Sequence, residues 1–191
     1  MKKKILASVI ALLLPVVLLN WSTASAAARK IERDVVLMVH VIPLYAEQPD
    51  QNLAMPVKGI KKGEVDDTWH GPRPGGRLHE GQDIFAPLGT AVFSATDGYV
   101  MSISENNLGG QTVSVIGAGG RIYYYAHLAA YAPNIEVGDH LTNQTLLGFV
   151  GTSGNAAGTP PHLHFGMYAR GSAINPLPLL TDRPDEKMAA P

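Results

Sequence analysis

The strongest restriction on the fold is punctuation. Glycine (20) and proline (14) recur in short clusters along the chain. Between the clusters lie runs of four to seven residues rich in Val, Ile, Tyr, Thr and Phe, the pattern of short antiparallel strands joined by tight turns. The expected strands are Ala91 to Ala95, Tyr99 to Ser104, Gln111 to Ile116, Arg121 to His127, Leu146 to Val150 and His162 to Tyr168. Asp97-Gly98, Asn106-Asn107 with Gly109-Gly110, Gly117 to Gly120 and Gly151 to Gly158 supply the turns. No long stretch after residue 30 repeats apolar residues at helical spacing, so an all-β fold with few or no helices is expected.

The N-terminus has a different character. Lys2, Lys3 and Lys4 precede an apolar stretch from Ile5 to Leu19 and then a small-residue segment containing Ala24-Ser25-Ala26. Basic start, short apolar stretch and small-residue cleavage site make a secretory signal peptide over 1–26. The apolar stretch falls short of the roughly 20 residues a membrane-crossing helix needs. Export to the periplasm, the cell envelope or the exterior follows, with no stable membrane insertion once the leader is removed. About 165 residues remain, enough for one core.

Composition narrows the chemistry. With a net charge of −1, the chain offers no broad basic surface for nucleic acid. It has no cysteine, which removes disulfides, thiolate ligands and a cysteine nucleophile. Any bound metal must then be held by carboxylates and by some of the seven histidines. Residues 27–53 read as an N-terminal arm, in which the apolar run from Val35 to Ile42 suits a buried or edge strand or a docking arm. Residues 181–191 read as a frayed polar tail.

Chemistry concentrates in three segments. Pro72 to Pro87 reads PRPGGRLHEGQDIFAP and places His79 and Asp83 four apart. Gly81 and the flanking breakers favour a loop running into a strand, where a bend lets both side chains converge. His79-Glu80 lacks the helical HExxH setting, so Glu80 is not that motif's base. In Pro160 to Gly166, PPHLHFG, His162 and His164 alternate on a strand and share a face, about 6.6 Å apart, while Leu163 and Phe165 turn to the core. His127 lies in a third segment, Tyr125-Ala126-His127-Leu128, at the end of another expected strand. A catalytic zinc takes three protein ligands and leaves a fourth position for water. His79, Asp83, His127, His162 and His164 are five candidates, and spacing alone does not divide ligands from helpers.

These strings, with MPVKGI, DTWHGPRPGGR, HEGQDIFAPLGT, ATDGYV, YYYAHL, GTSGNAAGTPPHLHF and INPLPLL, resemble the lysostaphin-like or LytM-type M23 zinc metallopeptidases over residues 54–180. The resemblance implies an antiparallel β-sheet sandwich with an active-site groove and a peptidase domain over 54–180. It also implies one zinc ion held by His79, Asp83 and His164, with His127 and His162 as catalytic histidines that do not bind the metal. The implied reaction is hydrolysis of peptide bonds in bacterial cell-wall peptidoglycan by an enzyme that acts as a monomer. Gln82, where an aliphatic residue is expected, and His70, beside Trp69, depart from the pattern.

Other features read more plainly. His40, His70 and His140 are ordinary surface or hydrogen-bonded histidines. The Tyr123 to Tyr125 run is alternating sheet packing with one ring at the groove. Asn106 to Gly110 and Gly151 to Gly158 are expected as groove walls, and Arg73 is a candidate for a substrate carboxylate. Two other functions use the same residues: a groove-binding regulator of wall enzymes without hydrolysis, and a secreted zinc protease of proteins.

Overall fold

The computed structural model describes residue 35 and residues 37–183. The leader read over 1–26 and most of the tail lie outside the described residues.

The short apolar runs form strands that pair into one nine-stranded sheet with two small ribbons beside it. The chain begins with β1 (Leu53–Ala54), β2 (Pro72–Arg73), β3 (Arg77–Leu78), β4 (Gln82–Phe85) and β5 (Ala91–Phe93). The long central strands are β6 (Gly98–Asn106), β7 (Gly110–Ile116) and β8 (Ile122–Tyr131). They are followed by β9 (His140–Leu141), β10 (Leu146–Val150), β11 (His162–Ala169), β12 (Ser172–Ile174) and β13 (Leu180–Thr181). The main path runs β12-β11-β8-β7-β6-β9, with β4 added to β11 and with β10 bridging β8 and β5. Every pairing in this sheet is antiparallel. The fold is therefore all-β in its core, and the expected strands are present with small shifts at their ends.

Alternation explains the packing. Tyr123, Tyr125, Leu163, Phe165 and Met167 are fully buried, and Phe165 lies opposite Tyr125 while Met167 lies opposite Tyr123. The Tyr125 and Phe165 rings sit 5.2 Å apart, within the range of favourable aromatic pairs. Leu53, Met55, Val92, Leu147 and Leu180 belong to the same core, so β5, β10 and the terminal β1-β13 ribbon cover it. That ribbon is parallel, Leu53 opposite Leu180, and clasps the two ends of the core together.

The arm differs from expectation. Residue 35 and residues 37–44 are helical, not a strand. Leu37, Val41 and Leu44, spaced by four and three residues, make one stripe that packs on Ile116, Tyr99 and Met101. With every position of the run apolar except His40, the stripe cannot be told from its background in sequence, and contact with the sheet decides it. After the helix, the Asp50 carboxylate accepts hydrogen bonds from Thr96 Oγ1 (2.7 Å) and the Tyr123 hydroxyl (3.0 Å). The helix docks at the Ile116 end of β7, about 20 Å along the strand from Gly110.

Candidate metal centre

At the Gly110 end of β7 the sheet opens into a groove of about 380 Å³. It is lined by His79, Asp83, His127, His162 and His164 together with Arg73, Arg77, Glu80, Tyr124 and Tyr168. All five residues singled out by sequence meet there, and His40, His70 and His140 do not. Among the described residues none before Arg73 lines the groove, so the N-terminal helix does not cover it.

Strand register brings the cluster together. Asp83 of β4 lies directly opposite His164 of β11, and Phe85 lies opposite His162. His79 comes from the loop ahead of β4, where its N–H donates to the Gly71 carbonyl and its carbonyl accepts from the His70 N–H, both at 2.9 Å. Gly81 makes room for His164: a Cβ at that position would lie 2.5 Å from the His164 ring. Tyr124 faces the groove while its neighbours Tyr123 and Tyr125 face the core.

His127 arrives by a different device. The pairing of β8 with β11 ends at Ala126, and its pairing with β10 begins at Leu128. Between them the β7-β8 register shifts, and His127 takes a φ of 63°. A bulge of this kind re-aims a side chain, and a left-handed backbone at a residue with a Cβ is characteristic of functional positions.

Hydrogen bonds decide which ring nitrogens face the groove. His79 Nδ1 donates to the Thr68 carbonyl at 2.7 Å, His127 Nδ1 to Ser153 at 2.9 Å and His162 Nδ1 to Pro160 at 2.9 Å. A neutral imidazole carries one N–H, so each of these rings presents an Nε2 lone pair. His79 Nε2 lies 2.8 Å from His164 Nδ1, and both lie 3.1 Å from Asp83 Oδ1. His162 Nε2 is farther, 3.9 Å from the same oxygen.

Electron-rich atoms converging so closely require a shared proton or a cation. A tetrahedral zinc with bonds of about 2.0–2.2 Å spans donors about 3.4 Å apart, so the observed spacing fits after a shift of a few tenths of an ångström. Two imidazoles and one carboxylate are also a donor set suited to zinc. His79, Asp83 and His164 thus form a candidate metal-holding group.

The electrostatics agree with that donor set. Burial would raise the Asp83 pKa, but hydrogen bonds from His164 and His79, the charge of His79 and the Arg73 guanidinium hold it well below the usual carboxylate range. Burial lowers the pKa of His164, partly offset by Asp83. Burial lowers His127 to about 4, helped by His162 and His164 and opposed by its bond to Ser153. Near neutral pH, His127 is an uncharged base.

Thr68 and Ser153 support the site without a signal in the sequence, and Gln82 and His70, which depart from the expected pattern, find their places beside it. Thr68 uses its carbonyl for His79 and its Oγ1 to accept the Asp83 N–H at 2.9 Å. Ser153 Oγ accepts from Gln111 N (2.9 Å) and donates to the Leu128 carbonyl (2.8 Å), tying both glycine-rich walls to His127. Gln82 points away from the groove, fully buried, and its amide nitrogen donates to the Asp66 carbonyl. The side chain is thus a strut under the Thr68 loop, with one buried oxygen that lacks a partner. His70 stacks on Trp69 at 4.5 Å with a φ of 58°, at the turn that carries the chain into β2.

Fold and donors together define an antiparallel β protein with a candidate His/His/Asp metal centre in an open groove. The sequence profile of peptidase family M23 matches residues 77–176, more than half of the chain, and the protein belongs to that family. The L-Ala–D-Glu endopeptidase of Bacillus subtilis is 38% identical over 108 residues, covering 53% of this chain and 33% of that protein. The peptidoglycan DD-endopeptidase ShyC of Vibrio cholerae is 31% identical over 100 residues, covering 52% of this chain and 22% of its own length. The chain therefore spans a third or less of the length of these relatives. The catalytic domain of the antimicrobial peptidase lysostaphin from Staphylococcus simulans superposes with a TM-score of 0.53 at 29% identity, covering 61% of this chain and 92% of that domain.

Proposed function

We propose that the protein is a zinc-dependent endopeptidase that hydrolyses peptide bonds in bacterial cell-wall peptidoglycan. The observation that carries this reading is the meeting of three metal donors with two more imidazoles whose Nε2 lone pairs face the same groove. A zinc ion held by His79, Asp83 and His164 supplies Lewis acidity toward a carbonyl oxygen and toward water. His127 and His162 act as the proton-handling pair. Each is held with Nδ1–H on a backbone carbonyl, so Nε2 is free to take a proton from water and return it to the departing amine. In its protonated state either ring also stabilises negative charge developing on the carbonyl oxygen. The Ser153 and Pro160 carbonyls keep these two rings in the required tautomer, and the Thr68 carbonyl does the same for His79.

The wall substrate is supported by relatives whose names specify an L-Ala–D-Glu bond and peptidoglycan. Residues 54–180 would be the peptidase domain, clasped at its ends by β1 and β13, with 27–53 as an arm and 181–191 as a tail. A leader over 1–26 would export the protein to the periplasm, the envelope or the exterior, where it works as a monomer on wall peptides.

Digestion of purified peptidoglycan and of a generic protein substrate, with and without chelator, tests the reading. Chelator-sensitive release of wall fragments with little protein cleavage is expected. Cleavage of the protein substrate alone would make it a protease of proteins, and release from neither would make it a binding regulator. His79→Ala and Asp83→Ala should lose the metal. His127→Ala should keep near-stoichiometric zinc and lose hydrolysis, and full activity in that variant would overturn its role.

A further inference from the structure

Beside the metal donors stands a pair of arginines of which one has an anionic partner among the described residues. Arg73 and Arg77 lie directly opposite each other in the β2-β3 ribbon. The turn between them, Pro74–Gly76, has Gly75 at φ 78° and Gly76 at φ 75°, a conformation that suits glycine. Directly opposed residues of an antiparallel pair point to the same face, and like charges placed there repel. Both side chains line the groove. The repulsion is compensated at one member only. Arg73 Nη2 is hydrogen-bonded to Asp83 Oδ2, the carboxylate oxygen turned away from His79 and His164. Arg77 is exposed, and its Nε approaches the Pro74 carbonyl at 3.5 Å. No carboxylate pairs with Arg77 among the described residues.

The groove as a whole has the matching sign. Its lining holds two arginines against two carboxylates, Asp83 and Glu80. A divalent ion at the three donors leaves a net positive groove with Arg77 as its unneutralised end. A guanidinium presents a planar fork of donors that matches a carboxylate.

We infer that Arg77, backed by Arg73, is the anchor for a free carboxylate carried by the peptide residue next to the cleaved bond. The inference rests on the peptidase reading above and deepens it by naming the substrate class: acidic stem peptides in preference to uncharged bridges. A peptide bond between alanine and glutamate meets this requirement by its chemistry. Glutamate has two carboxyl groups, and one remains free when the other continues the chain. Arg73 has a different task. With Nη2 committed to Asp83, it positions that ligand and sets the ribbon against the metal, while Arg77 reaches the substrate.

The test uses two synthetic peptides that differ in one group, an alanyl-D-glutamyl peptide with its free carboxylate and the isosteric carboxamide. Equilibrium binding to the full chain is measured first in chelator, so that no cleavage intervenes. The acid should bind about tenfold more tightly, the size expected of one charge-assisted pair. Arg77→Gln should bring the acid-to-amide ratio to about one, and Arg77→Lys should restore part of it. In the zinc-loaded protein the same ratio should appear in KM more than in kcat. Equal binding of acid and amide by the unaltered protein overturns the inference, as does a ratio that survives Arg77→Gln. Failure of the zinc-loaded protein to cleave peptidoglycan overturns the peptidase reading instead, because the binding ratio is measured without hydrolysis.

Discussion

Thr68 holds two candidate metal donors at once: its carbonyl lies 2.7 Å from His79 Nδ1 and its Oγ1 lies 2.9 Å from the Asp83 amide nitrogen. The first contact sets the tautomer of a histidine donor, and the second fixes the start of the strand that carries the carboxylate.

Thr68→Ala keeps the carbonyl and deletes the Oγ1 acceptor. Partners of metal ligands are commonly worth about 10–100-fold in metal affinity. The variant should bind zinc about tenfold more weakly in a competition titration against a chromogenic chelator. Unchanged affinity would mean that the amide bond does not hold Asp83 in place.

Gly81 gives a second test that leaves every donor in place. A Cβ there would lie 2.5 Å from His164 Cε1, 2.6 Å from Nε2 and 3.0 Å from the Phe165 carbonyl. The ring cannot swing aside without leaving Asp83 and His79. Gly81→Ala should therefore retain a β-rich circular dichroism spectrum while zinc stoichiometry falls well below one. A full complement of zinc would show that the His164 ring has more room than its contacts indicate.

The depressed pKa of His127 sets a pH dependence for the metal-free protein. Its folded pKa of about 4 lies below the ordinary 6.5. Between these values the unfolded chain binds more protons, so stability rises with pH across that window and is fully present above about 6.5. The shift corresponds to about 3 kcal/mol. Urea midpoints of chelated protein should climb from pH 4 to 6.5, and His127→Gln should flatten that climb. An equally steep climb in the variant would assign it to other groups.

In the core, the Tyr125 hydroxyl accepts the Ala95 N–H at 2.8 Å, and burial pushes the tyrosine pKa up to about 12. Tyr125→Phe strands a buried amide and should cost about 1–3 kcal/mol in urea unfolding. Activity at temperatures well below the midpoint should hardly change, since the ring packs on the face away from the groove.

Much of the architecture was legible because β structure writes itself locally. Gly and Pro clusters mark turns, and alternation in Leu163, His164 and Phe165 assigns faces with a period of two. Where that signal was saturated it failed. The run from Val35 to Ile42, apolar except at His40, carries no face, so its helix appeared only through contact of Leu37, Val41 and Leu44 with Ile116, Tyr99 and Met101. The pieces missed around the site are of another kind. The Thr68 and Ser153 carbonyls act through the backbone, which every residue possesses. The Gln82 strut depends on where Asp66 lies, and the Arg73-Arg77 opposition depends on a two-residue ribbon.

By itself, the sequence determined that a cysteine-free chain of short strands carries histidine and aspartate at spacings that one metal site could use. Side-chain type and period-two alternation are properties of single strands, and they survive in one dimension. Only the tertiary structure decided which atoms meet: Asp83 against His164 by register, His127 through a bulge, and three Nε2 atoms turned inward by backbone carbonyls. Those relations span as many as 85 positions, as between His79 and His164. They exist only once the sheet has closed around them.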